Sequence, residues 1–122
     1  MGRLTAFLAI LGGLAATAAA AGEVTVVAAE ARRQADGAFA FSVTLEHGDS
    51  GWKHYADRWE VVAPDGTVLA TRVLLHPHVD EQPFTRSLSG VKIPAGISRV
   101  TIRAHDKVHG NGPLARAVDL PR

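Results

Sequence analysis

From Phe39 to Glu46 the chain alternates. Phe39, Phe41, Val43 and Leu45 are large and apolar, and Ala40, Ser42, Thr44 and Glu46 between them are small or polar. A helix would scatter that pattern around its circumference, whereas a strand puts the four large side chains on one face. That face has to be covered by a second layer, and the rest of the chain offers more strands to build it. Val100, Ile102 and Ala104 alternate with Arg99, Thr101, Arg103 and His105. Around Trp59, the residues Tyr55, Asp57, Trp59 and Val61 share one parity, and Arg58 and Glu60 take the other. Beyond residue 21 no stretch carries the 3.6-residue period of an amphipathic helix.

Turn sequences divide this material at close, regular intervals. They are Arg32–Gly37, ending in Asp-Gly, then Pro64-Asp65-Gly66, then Pro94-Ala95-Gly96. The strands they delimit are Glu23–Glu30, the Phe39–Leu45 run, the segment around Trp59, Thr67–Leu75, Phe84–Ile93, Ile97–His105 and a last one through Ala117, Val118 and Leu120. About seven short strands with this patterning predict an all-β, immunoglobulin-like antiparallel β-sandwich, with Trp59 as its central core tryptophan.

The sandwich is predicted to span residues 22–122, because residues 1–21 read as a cleaved signal peptide. Arg3 supplies the positive start, Leu4, Phe7, Leu8, Ile10, Leu11 and Leu14 the apolar stretch, and Ala18–Ala21 the small-residue cleavage region, with the cut after Ala20 or Ala21. The apolar run is short for the roughly 20 residues a membrane span needs. Export to the periplasm or outside the cell follows, with no membrane association after cleavage.

The remaining roughly 100 residues suffice for one domain with its own core. The 122-residue chain has no cysteine, which excludes disulfides, lipidation at a cysteine, covalent haem and thiolate metal ligands. Without Arg3, basic and acidic side chains balance at 12 each, and no basic run stands out, so nucleic acid is not an expected partner.

The chemistry of the chain lies in its six histidines: His47, His54, His76, His78, His105 and His109. If successive strands alternate in direction, the three turns lie at one end of the sandwich. The loops His47–Tyr55, His76–Pro83 and Asp106–Pro113 then lie at the other end, and every histidine falls in one of them or at the strand residue entering it. Parity adds detail: His47 and Asp106 point inward, His105 outward. Imidazole is the commonest metal ligand, and Asp49, Asp57, Asp80, Glu81 and Asp106 are near enough in sequence to complete a shell. All six histidines and Asp106 are therefore candidate ligands of a transition metal ion. The spacing matches no zinc motif of the HExxH kind.

Two stretches resemble the superoxide reductase (desulfoferrodoxin-type) iron domain, itself an immunoglobulin-like sandwich. One is His47 followed by His54-Tyr55-Ala56-Asp57-Arg58-Trp59-Glu60; the other is Asp106-Lys107-Val108-His109-Gly110. The resemblance implies that His47, His54 and His109 correspond to three imidazole ligands of ferrous iron. It departs from the family pattern in three respects. The histidine-to-aromatic spacing is one residue longer, a fourth equatorial histidine has no direct match, and Asp106 stands where the family has its axial cysteine. A carboxylate is harder than a thiolate, which widens the expected metal to iron, copper or zinc.

Three functional classes fit these residues. One is an exported metal-binding protein. Another is a metalloenzyme with superoxide reductase-like redox activity, whose catalytic residues the sequence does not name. The third is a non-catalytic interaction module that uses Trp52 and Tyr55 as anchors for a periplasmic protein partner.

Overall fold

The computed structural model describes residues 22–122; the expected signal peptide lies outside them. They form the strands β1 (Thr25–Arg33), β2 (Phe39–Glu46), β3 (Ala56–Val62), β4 (Val68–Val73), β5 (Phe84–Val91), β6 (Arg99–Asp106), β7 (Gly110–Asn111) and β8 (Arg116–Asp119). The alternation in β2 does what period 2 requires: Phe39, Val43 and Leu45 are 0% exposed and Phe41 1%. Trp59, Val61, Val100 and Ile102 from the facing layer are equally buried and complete the core. Each such side chain contributes about 1.5–3 kcal/mol by leaving water.

One sheet has the order β1-β2-β5; the other has β4-β3-β6, with β7 and β8 both paired to β6. Every strand pairing is antiparallel. The connections β2–β3, β4–β5 and β5–β6 cross between sheets, which gives the immunoglobulin-like arrangement and puts Trp59 on the strand where such domains carry their core tryptophan. Among the described residues there is no helix, and none is long and apolar enough to cross a membrane.

Three details differ from the sequence expectation. The first strand runs on through Arg32 and Arg33, which pair with Ala40 and Phe39, so the turn after it is shorter than expected. The glycine-rich stretch after Asp106 contains the short strand β7, whose Gly110 and Asn111 pair with Asp106 and His105. The parity before Trp59 also breaks. A register irregularity between Ala56 and Arg58 inserts a residue, so Ala56 takes the inward place at 0% exposure and Asp57 is turned out of the core. Such a bulge shifts side-chain parity by one.

The two sheets close tightly near Gly112. A Cβ built there would sit 2.1 Å from the Val24 carbonyl oxygen and 2.9 Å from Val24 Cγ1. Val24 is 0% exposed, and the Gly112 N–H donates to the Ala104 carbonyl at 2.9 Å, so neither backbone can yield freely. Gly112→Ala is therefore expected to cost about 3 kcal/mol, the upper end of ordinary overpacking. Thermal unfolding checks this; a Tm within a few degrees of the parent would contradict the close approach.

Candidate metal centre

The three histidine-bearing loops meet. The His78 N–H donates to Asp49 Oδ2 at 2.7 Å and joins the second loop to the first. The Lys107 N–H donates to the Tyr55 carbonyl at 3.1 Å and joins the third to the first. Gln82 adds another tie: its Oε1 accepts from the His47 N–H at 2.9 Å and its Nε2 donates to the His78 carbonyl at 2.9 Å.

Each residue of the centre is placed by its local backbone. His47 continues the inward parity of β2 and is 3% exposed. His54 closes a tight turn in which its N–H donates to the Gly51 carbonyl and its own carbonyl accepts from Ser50. Gly51 has φ of 138°, a conformation that only glycine adopts readily. Asp106 is the inward-facing last residue of β6 and is 0% exposed. Its Oδ1 accepts from the backbone N–H groups of Val108 and His109, at 2.8 and 2.7 Å, which fixes the β6–β7 turn.

His47, His54 and Asp106 present one ligand atom each within 4.8 Å of one another, a group that could hold a metal ion. His47 Nε2 lies 3.2 Å from His54 Nε2 and 3.7 Å from Asp106 Oδ2, and His54 Nε2 lies 3.4 Å from Asp106 Oδ1. With metal–ligand bonds of about 2.0–2.2 Å, two ligands of a tetrahedral ion stand about 3.4 Å apart. The His47–His54 separation is close to an edge of such a tetrahedron, while the two Asp106 separations run to different oxygens of its carboxylate, Oδ2 toward His47 and Oδ1 toward His54.

Behind His47 stands Asp49, which is 5% exposed. Its Oδ1 lies 2.5 Å from His47 Nδ1 and also accepts from the Ala56 N–H. A carboxylate accepts only, so this contact assigns the proton to Nδ1 and aims the Nε2 lone pair at His54 and Asp106. Asp49 is thus spent on orienting a ligand and on tying loops together. The sequence marked it only as one of several nearby carboxylates.

The other candidate ligands are placed differently. His109 touches the cluster from outside: its Nδ1 is 3.3 Å from Asp106 Oδ2 and its ring centre 5.0 Å from that of His54, but the metal-holding group does not extend to it. His105 precedes Asp106 on β6 and so faces the opposite side of the sheet, where its Nδ1 is 2.6 Å from Asp57 Oδ1. His76 and His78 lie beyond Asp49 and pack against each other at 4.7 Å.

Burial opposes the charge on Asp106, but the His109 and Val108 N–H groups and the nearby His47 and His109 outweigh it and hold its carboxyl below the ordinary 3.8. Burial, reinforced by Arg86 and His76, likewise pulls His78 below 6.5, against the pull of Glu81 and Asp49. Both groups bind protons less readily folded than unfolded, so stability must fall with pH. The His78 contribution is lost as pH drops from 6.5 toward its folded value, and the Asp106 contribution as pH drops from 3.8. The metal-free protein is expected to show a Tm that declines in these two windows; a flat profile between pH 7 and 3 would contradict it.

Comparison with known proteins adds one relative. Over 79 residues, 65% of this chain, it is 47% identical to a protein of Halomicrobium mukohataei named "Putative lipoprotein". The matched region is 38% of that protein, so this chain spans well under half of its relative's length. No model of a known protein family matches the chain, and no solved structure matches it.

Proposed function

We propose that this protein is an exported β-sandwich domain that binds one transition metal ion through His47 Nε2, His54 Nε2 and an oxygen of Asp106. The observation that carries the reading is the grouping of the three side chains, with one ligand atom from each within 4.8 Å of the others, the two imidazole nitrogens 3.2 Å apart and Asp49 backing His47. Three protein ligands leave a fourth position open to water or to a small molecule, the arrangement of reactive rather than purely structural sites. The opening lies toward His54, whose side chain is 25% exposed, and the exposed His109 stands beside it. Two imidazoles and a carboxylate suit zinc, copper or iron, and affinity order alone favours copper or zinc. Export rests on the N-terminal signal sequence and on the relative's name.

A superoxide reductase-like activity is the second reading; the sequence resemblance at His47, His54 and His109 supports it, and Asp106 in place of the family's axial cysteine weighs against it. The metal-loaded protein should then consume superoxide faster than the same concentration of free ion; an equal rate would discard the redox reading and leave the binding one. Trp52, 66% exposed and edge-on to Tyr55 at 5.8 Å, is the surface a protein partner would use.

Titration of the untagged protein with Zn(II), Cu(II) or Fe(II) tests the main reading. One equivalent is expected to bind at neutral pH and to be released in acid, because imidazole must lose its proton to ligate. Losing an orienting partner costs about 10–100-fold in affinity, so Asp49→Asn should weaken binding within that range and His54→Ala by at least about 100-fold. Unchanged affinity in His54→Ala would remove the site as drawn.

A further inference from the structure

On the far side of Asp49 from the metal centre is a second constellation, which takes no part in the metal site. A small cavity of about 90 Å³ is lined by Arg72, Leu74, Leu75, His76, His78 and Arg86. At about 30 Å³ per water, it has room for a group the size of about three waters.

His78 is the most informative of its walls. Its side chain is 3% exposed, yet neither ring nitrogen has a hydrogen-bond partner. The nearest carboxylate oxygen, Asp49 Oδ2, is 4.0 Å from Nδ1 and already accepts from the His78 backbone N–H. Phe84 stacks flat on the ring at 4.0 Å and 10°, which holds the imidazole in place. A buried polar group left unpaired costs about 1–3 kcal/mol, a cost that a ligand would relieve once a small shift of the ring opens one of its closed-off nitrogens to the cavity.

The remaining walls decide the sign of that ligand. No acidic residue lines the cavity, whereas two arginines do. Arg72 is fixed by donating Nε to the Ser87 carbonyl at 2.9 Å and Nη1 to the Val73 carbonyl at 2.6 Å. Arg86 lies over the Phe84 ring at 5.5 Å and donates Nη2 to Glu81 Oε1 at 3.1 Å. Two cations beside the imidazole would repel a metal ion and attract an anion, and guanidinium forks match oxygen anions geometrically. We infer that this cavity is a binding site for a small oxyanion of the carboxylate, sulfate or phosphate type. Arg72 and Arg86 would supply the charge, and a His78 ring N–H the buried hydrogen bond.

The inference stands independently of metal binding. It is tested on the metal-free protein by following the His78 ring resonances by NMR during titration with acetate, sulfate and inorganic phosphate at constant ionic strength. At least one anion is expected to shift those resonances saturably, and the one bound best identifies the preferred shape. Arg72→Ala and Arg86→Ala should each weaken that binding about tenfold or more while the core resonances stay in place. Arg72→Lys keeps the charge and should recover part of the loss. Three results would overturn the site: shifts that chloride reproduces, affinity unchanged in both alanine variants, or Zn(II) perturbing His76 and His78 before His47 and His54.

Discussion

Trp59→Ala is expected to destabilise the protein by about 3–5 kcal/mol, the range for emptying a large aromatic from a packed core. At about 4–8 °C of Tm per kcal/mol for a domain of this size, the fall is at least about 12 °C. The reasons are positional. Trp59 is 0% exposed, sits in the middle of β3 between β4 and β6, and faces the β2 side chains of the other sheet. With no cysteine in the chain, no disulfide offsets the cavity. Its Nε1 has no hydrogen-bond partner, so the indole is retained for volume and not for its N–H. Trp59→Phe, which removes that unpaired donor along with part of the volume, should therefore cost far less than Trp59→Ala. Thermal unfolding followed by near-ultraviolet circular dichroism measures both. Equal losses in the two variants would mean that the N–H matters after all.

Asp106 separates two roles by substitution. Its carboxylate accepts two backbone N–H bonds through Oδ1 and faces His47, His54 and His109. In Asp106→Asn the amide oxygen can keep the two backbone bonds, while the negative charge and one acceptor oxygen disappear. That variant is expected to stay folded and to lose metal affinity by at least about 100-fold. Asp106→Ala removes the turn bonds as well, two hydrogen bonds to a charged acceptor that contribute about 1.5–3 kcal/mol each. It should lose both the metal and several kcal/mol of stability. If the asparagine variant bound metal as tightly as the parent, Asp106 would be a turn residue only.

The sequence carried the architecture because its information is local. The alternation in Phe39–Leu45 and Val100–Ala104 assigns faces without reference to the partner sheet, and the glycine turns fall between strands as in the structure, although β1 runs on through Arg32 and Arg33, which the sequence assigned to the first turn. The same parity placed His47 and Asp106 inward and His105 outward, as found. Parity failed at Asp57 because a bulge depends on how β3 registers with β6, and one strand's pattern does not contain that. The gathering of the histidine loops at one end was legible from alternating strand direction alone. Which histidines converge was not: His109 and His54 both lie in those loops, yet a few ångströms of backbone path put one inside the ligand group and the other at its border. Arg72 and Arg86 gave no sequence signal either, because they belong to different sheets and come together only when β4 and β5 are packed.

The most direct test of the metal centre is anomalous diffraction from a crystal of the metal-loaded protein, collected at the absorption edge of the bound ion. A single peak about 2.0–2.2 Å from His47 Nε2, His54 Nε2 and an Asp106 oxygen, with Asp49 still bonded to His47 Nδ1, is the expected result. A principal peak at His76 and His78, or none above background at full loading, would contradict it.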